Sequence, residues 1–161
     1  MNNAPKLITL PQTHLVGISA TMSRSEDQTP TLWRSFMPRR NEVDHRTNEN
    51  FISMQIFPDG PSQVADPQAT FIKWAAVEVT PGGQVPQGMQ RYALSGGLYA
   101  VFHHQGPATD LSTFMFIFQT WLPGSDYRLD DREHFEILPE NYQPLDANAF
   151  EDIYIPIAAK N

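Results

Sequence analysis

One order of elements occurs twice along this chain, and no other feature constrains the fold as much. Residues 14–22 (HLVGISATM) crowd apolar side chains between Pro11 and a polar run, which reads as a strand. Thr29-Pro30 follows as a helix start, with Thr29 as N-cap and Pro30 where a missing N–H is harmless. Leu32, Trp33, Phe36 and Met37 continue at helical spacing up to Pro38. Two further strands are predicted, residues 51–57 (FISMQIF) before the turn Pro58-Asp59-Gly60, and residues 71–80 (FIKWAAVEVT) before Pro81-Gly82-Gly83.

The order then returns. Residues 98–105 (LYAVFHHQ) read as a strand after Gly96-Gly97. Asp110 can cap a helix whose Leu111, Phe114, Met115, Phe118, Trp121 and Leu122 form one apolar face at a 3.6-residue period, ended by Pro123-Gly124. Residues 134–138 (HFEIL) and 151–157 (EDIYIPI) are the last two strands. The proline- and glycine-rich stretch from Pro81 to Gly88 is read as a hinge between halves of about 10–83 and 94–158. A chain of 161 residues suits a single domain, 1–161, made of two halves sharing one core.

Composition narrows the function. The absence of cysteine excludes disulfides, thiolate metal sites and a Cys nucleophile. No run approaches the ~18 apolar residues of a membrane span, and the first residues lack the apolar core of a signal peptide, so a cytoplasmic protein is expected. A net charge of −7 without a basic stripe argues against nucleic acid and favours cationic ligands. His103 and His104 adjoin in a strand, so they face opposite ways and cannot share a metal; neither metal nor cofactor is expected. There is no G-x-S-x-G, phosphate-binding loop or dinucleotide-binding glycine pattern.

The segment LYAVFHHQGP, the helix ending in Trp-Leu-Pro, Tyr127, the pair Phe135-Glu136 and the terminal EDIYIPI together resemble the GyrI-like effector-binding family, which includes effector domains of AraC-type regulators and integron-cassette proteins. That resemblance implies an α+β fold: a duplicated βαββ unit with a curved antiparallel sheet, two helices on one side and a ligand pocket on the other. It also implies that Glu136 meets the positive charge of cationic, aromatic, multidrug-type ligands. The residues offer a parallel argument, because Glu136 shares a strand face with Leu138 while Phe135 and Ile137 share the other. With Phe135 and Ile137 packed on the helices, Glu136 points to the far side.

The repeat supplies companions. Aligning Pro58 with Pro139 pairs Gln55 with Glu136, and aligning FIKWAAVEV with EDIYIPIAA pairs Trp74 with Tyr154. Trp74, Tyr154, Gln55 and Glu78 are therefore expected to converge with Glu136 on one concavity, with Trp33 closing an end. The leading reading is a binding protein for cationic, amphipathic or aromatic small molecules. A second is a hydrolase of reactive electrophiles with Glu136 as base and Tyr154 as orienting or proton-donating group. A third is an acidic protein-interaction module of the gyrase-inhibitor kind. Exposed sheet edges are compatible with a homodimer.

Overall fold

The computed structural model describes residues 3–161, in which nine strands form one antiparallel sheet. Chain order is β1 (Lys6–Leu10), β2 (Thr13–Ser23), α1 (Thr29–Phe36), β3 (Phe51–Ile56), β4 (Thr70–Val79), β5 (Gln90–Leu94), β6 (Gly97–Gln105), α2 (Ser112–Phe116), β7 (Tyr127–Leu129), β8 (His134–Leu138) and β9 (Phe150–Ala159). A 3-10 segment, Met37–Glu42, extends α1. A π-helical segment, Ile117–Trp121, and a last turn, Leu122–Gly124, extend α2.

Across the sheet the strands run β1-β6-β9-β8-β3-β4-β2-β5, with β7 on β9. Each half keeps its own three strands together, and the two sets join where β3 pairs β8. The strand ahead of each set crosses over: β1 lies on β6 of the second half, and β5 lies on β2 of the first. Only Pro11 and Gln12 separate β1 from β2, which sit near opposite ends of the order, so the sheet must curl until its ends approach. At this crossing a Cβ on Gly96 would lie 2.6 Å from the Leu10 carbonyl oxygen, so the close approach requires glycine.

The curl buries both faces. On one, α1 seals Val16, Ala75 and Val77 beneath Leu32 and Phe36, and the second helix seals Ala100, Phe102, Ile153 and Ile155 beneath Ile117. The opposite face carries no helix. It closes on itself around Leu15, Met54, Trp74, Tyr99 and Phe135, with Leu10, Tyr92 and Tyr154 packed alongside. That cluster draws on every strand except β7, which only a strongly curved sheet allows.

Several local expectations are corrected. Gln28, not Thr29, is the N-cap of α1, and the Asp27 side chain accepts the Thr29 N–H. Asp110 accepts the Ser112 N–H, but the N-cap of α2 is Leu111. The expected apolar stripe includes Leu111 and Met115, yet these are 57% and 52% exposed, while Ile117 is fully buried. Thr113 and Ile117, four residues apart, carry the buried face, so the helix is turned from the expected stripe before the π-helical turn Ile117–Trp121 begins.

Candidate functional site

Each helix covers its own half of the sheet, and the seam between them is left open. There a cavity of about 890 Å³ lies above the β3–β8 pairing. Its floor is made by the strands: Ser53 from β3, Lys73 from β4, His104 from β6, Glu136 and Leu138 from β8, and Glu151 from β9. Pro30, Trp33 and Met37 wall one side and Phe114 the other, with Tyr142 reaching in from the loop between β8 and β9. The cavity therefore shares the helix-bearing face, where the sequence reading puts it on the opposite one.

Glu136 is the central floor group and is only 7% exposed. Gln55 donates its side-chain amide to both carboxylate oxygens, at 3.1 and 3.2 Å, and the Lys73 ammonium stands 4.0 Å away. Burial pushes the Glu136 carboxyl up to about 7; Lys73 pulls against that rise and Glu151 adds to it. Tyr142 donates its hydroxyl to Glu151 at 3.0 Å, and burial raises the Glu151 carboxyl as well. His104 is buried beside them, its Nε2 3.4 Å from the Pro107 carbonyl and its Nδ1 2.7 Å from the Thr113 hydroxyl. His103 faces outward to Asp152 at 2.9 Å, so the two histidines do diverge.

The lining is acidic on balance. Asp27, Asp110, Glu136, Glu140 and Glu151 stand against Arg34 and Lys73, so the field inside favours positive charge. The aromatic walls add ring faces to that field: Trp33 meets Phe51 edge-on at 6.0 Å, and both line the cavity. No group of three or more His, Asp or Glu able to hold a metal occurs among the described residues.

Of the residues picked out by sequence, Glu136, Leu138 and Trp33 line the cavity, and Gln55 supports Glu136 from beside it. Trp74, Tyr154 and Glu78 do not join them. Trp74 packs on Tyr92 at 5.4 Å, and Tyr154 stacks on Phe135 at 4.5 Å, both on the helix-free face. Glu78 follows the same alternation as Trp74 along β4. The reason is the register: Phe135 pairs with Tyr154 and Glu136 with Ile153, so Phe135 and Ile137 fill the curled side while Glu136 turns toward the helices. A Glu136–Tyr154 catalytic pair is therefore split between two faces. Lys73, Glu151 and Tyr142 join the site without a sequence expectation, and His104, expected only to face away from His103, joins it too. For Lys73 and Glu151 a signal was present, because each occupies an inward position in a strand otherwise lined by Ala75 and Val77, or by Ile153 and Ile155.

The model of the GyrI-like small molecule binding domain family matches residues 3–158. The transcriptional regulator BrlR of Pseudomonas aeruginosa is 29% identical over 158 residues, covering 97% of this chain and 56% of BrlR, so the chain spans little more than half of that relative. SAV2435 bound to tetraphenylphosphonium shares the fold with a TM-score of 0.69 at 15% identity, over 98% of this chain and 94% of that one. So does the integron cassette protein VCH_CASS2 from the mobile metagenome of Vibrio cholerae, with a TM-score of 0.61 at 12% identity and 96% coverage of both chains.

Proposed function

The chain belongs to the GyrI-like small molecule binding domain family, and on that premise we propose that it binds organic cations with aromatic or amphipathic bodies in the cavity over Glu136. One observation carries the reading: a buried carboxylate on the floor of an aromatic-walled, net-acidic cavity of about 890 Å³. That volume falls within the usual range of small-molecule sites, which is about 300–1,000 Å³. A cation above Glu136 gains from its carboxylate and from Glu151, and the rings of Trp33, Phe51 and Phe114 each add about 0.5–2 kcal/mol if stacked on the charge. Lys73, 4.0 Å from Glu136, opposes this in part. Micromolar affinity, about −8 kcal/mol, is expected for rigid cations. SAV2435, which shares the fold, is a precedent for a phosphonium ligand. The absence of cysteine and the acidic balance suit a cytoplasmic binder, and the two matching sets of strands fit a duplicated unit within one domain.

The test is a titration with tetraphenylphosphonium and rhodamine-type dyes, followed by quenching of Trp fluorescence at pH 8. Wild type should saturate. Glu136→Gln keeps the shape and removes the charge, and should weaken binding about tenfold or more, or ~1.4 kcal/mol. Equal affinity in the two proteins would remove charge pairing from the account.

A further inference from the structure

The chain contains three lysines, Lys6, Lys73 and Lys160. Lys6 and Lys160 are exposed, whereas Lys73 is only 6% exposed and still lines the cavity. A buried lysine kept for structure is normally held by several acceptors, because an ammonium is costly to remove from water. Lys73 lacks that support. Its nearest charged neighbour is Glu136 at 4.0 Å, and among the described residues its ammonium makes no hydrogen bond. The flexible four-carbon stem thus presents an unheld amine at the base of a cavity with apolar walls. Burial lowers its pKa, against the pull of Glu136, Asp27 and Glu151, so the fraction present as free amine is larger than for an exposed lysine. His104 is the remaining titratable floor group beside these carboxylates.

We propose that Lys73 is a carbonyl-capturing amine: it forms a Schiff base with apolar aldehydes that enter the cavity, with Glu136 as the proton shuttle. Glu136 takes one proton from the Lys73 ammonium. The freed lone pair attacks the carbonyl carbon, so a C–N bond forms as the C=O π bond opens. Glu136 delivers the proton it holds to the oxygen and, again a carboxylate, accepts one from that nitrogen, giving a carbinolamine. A second delivery from Glu136 releases the hydroxyl as water and leaves a protonated imine. Ammonium and aldehyde have become iminium and water; charge balances and no oxidant or reductant takes part. The product iminium is itself a cation, held beside the restored Glu136 carboxylate. This proposal rests on the same cavity being open to ligands, but not on the charge pairing proposed above.

The whole chain would be incubated with cinnamaldehyde and sodium cyanoborohydride at pH 7.5, which reduces any imine to a stable amine, and the adduct located by mass spectrometry and peptide mapping. The expected result is one fast adduct per chain at Lys73, formed about tenfold or more faster than at Lys6 or Lys160, because burial leaves more of Lys73 as free amine and Glu136 stands beside it to move protons. Lys73→Met should abolish the fast adduct. Lys73→Arg should do the same while keeping the positive charge on the floor, and Glu136→Gln should slow labelling at Lys73. Adducts spread at similar rates over all three lysines, or an unlabelled Lys73, would overturn the proposal. Tetraphenylphosphonium titration of the same sample separates the two ideas. Quenching without a Lys73 adduct removes the amine chemistry and leaves the cation site, and an adduct without quenching does the reverse.

Discussion

At the scale of the residue, Glu136 is poised by what surrounds it. Burial holds its carboxyl up to about 7, so in the empty cavity the charge needed for a cation appears only as pH rises through neutrality. The protonated acid cannot pair with a cation, so the proposed binding is expected to be tightest above pH 7 and to weaken below it. For a ligand of fixed charge, such as tetraphenylphosphonium, the dissociation constant should rise about tenfold between pH 8 and pH 6. Glu136→Gln should give a flat profile over the same span. A flat profile in wild type would show that Glu136 keeps its charge throughout and that Lys73 outweighs burial. Glu136 was legible because the segments around it carry the family resemblance, Leu138 because it shares the strand face of Glu136, and Trp33 only as a helix residue able to close one end. Lys73 shares the inward face of FIKWAAVEV with Ala75 and Val77, but alternation alone does not say that this face opens on a cavity rather than on sealed core.

At the scale of the element, β2, β3, β4, β6, β8 and β9 fall within a residue or two of their sequence-based bounds, because each is a dense apolar run closed by turn residues. β1, β5 and β7 were missed. They are short and largely exposed, and their pairing partners lie in the other half or at the chain end, so local pattern holds little trace of them. The second helix was found but its face was misjudged. Its buried face runs through Thr113 and Ile117 and leaves Met115 outside, and this can be measured. Ile117→Ala should cost about 2–5 kcal/mol of unfolding free energy, the range for a buried large-to-small change. Met115→Ala should stay within about 0.5 kcal/mol, as surface substitutions usually do. The reverse ranking would mean that the helix keeps the regular stripe.

At the scale of the whole molecule, the sheet has two buried faces with different duties. The helix-free face is filled by its own aromatics, with Trp74, Tyr92, Tyr99, Phe135 and Tyr154 in one cluster. The helix-bearing face is sealed over each half and open at the seam. Truncating one tryptophan on each face should separate stability from binding. Trp74→Ala should destabilise by about 3–5 kcal/mol and leave cation affinity in the folded fraction nearly unchanged. Trp33→Ala should weaken cation binding while costing less stability, because its ring borders the cavity and is only half-buried. Loss of binding on Trp74→Ala, with the melting temperature unchanged, would return the site to the helix-free face.

The amino-acid order by itself determined six of the nine strands and both helices, that this set occurs twice, and that inward and outward residues alternate along each strand. Those properties are local, set by side-chain periodicity, proline and glycine. It also carried Glu136 and Gln55 as a matched pair, and here the fold joins them by a hydrogen bond. Only the tertiary structure decided which face Glu136 looks onto. Alternation separates Glu136 from Phe135 but does not say which of the two meets the helices. That choice follows from the crossed lead strands, β1 on β6 and β5 on β2, which curl the sheet until the helix-free side must be filled by its largest rings. With Phe135, Trp74 and Tyr154 taken up there, the polar partners on β3, β4, β8 and β9 are left facing the helices, where the gap between two separately seated helices is the space in which a ligand can lie.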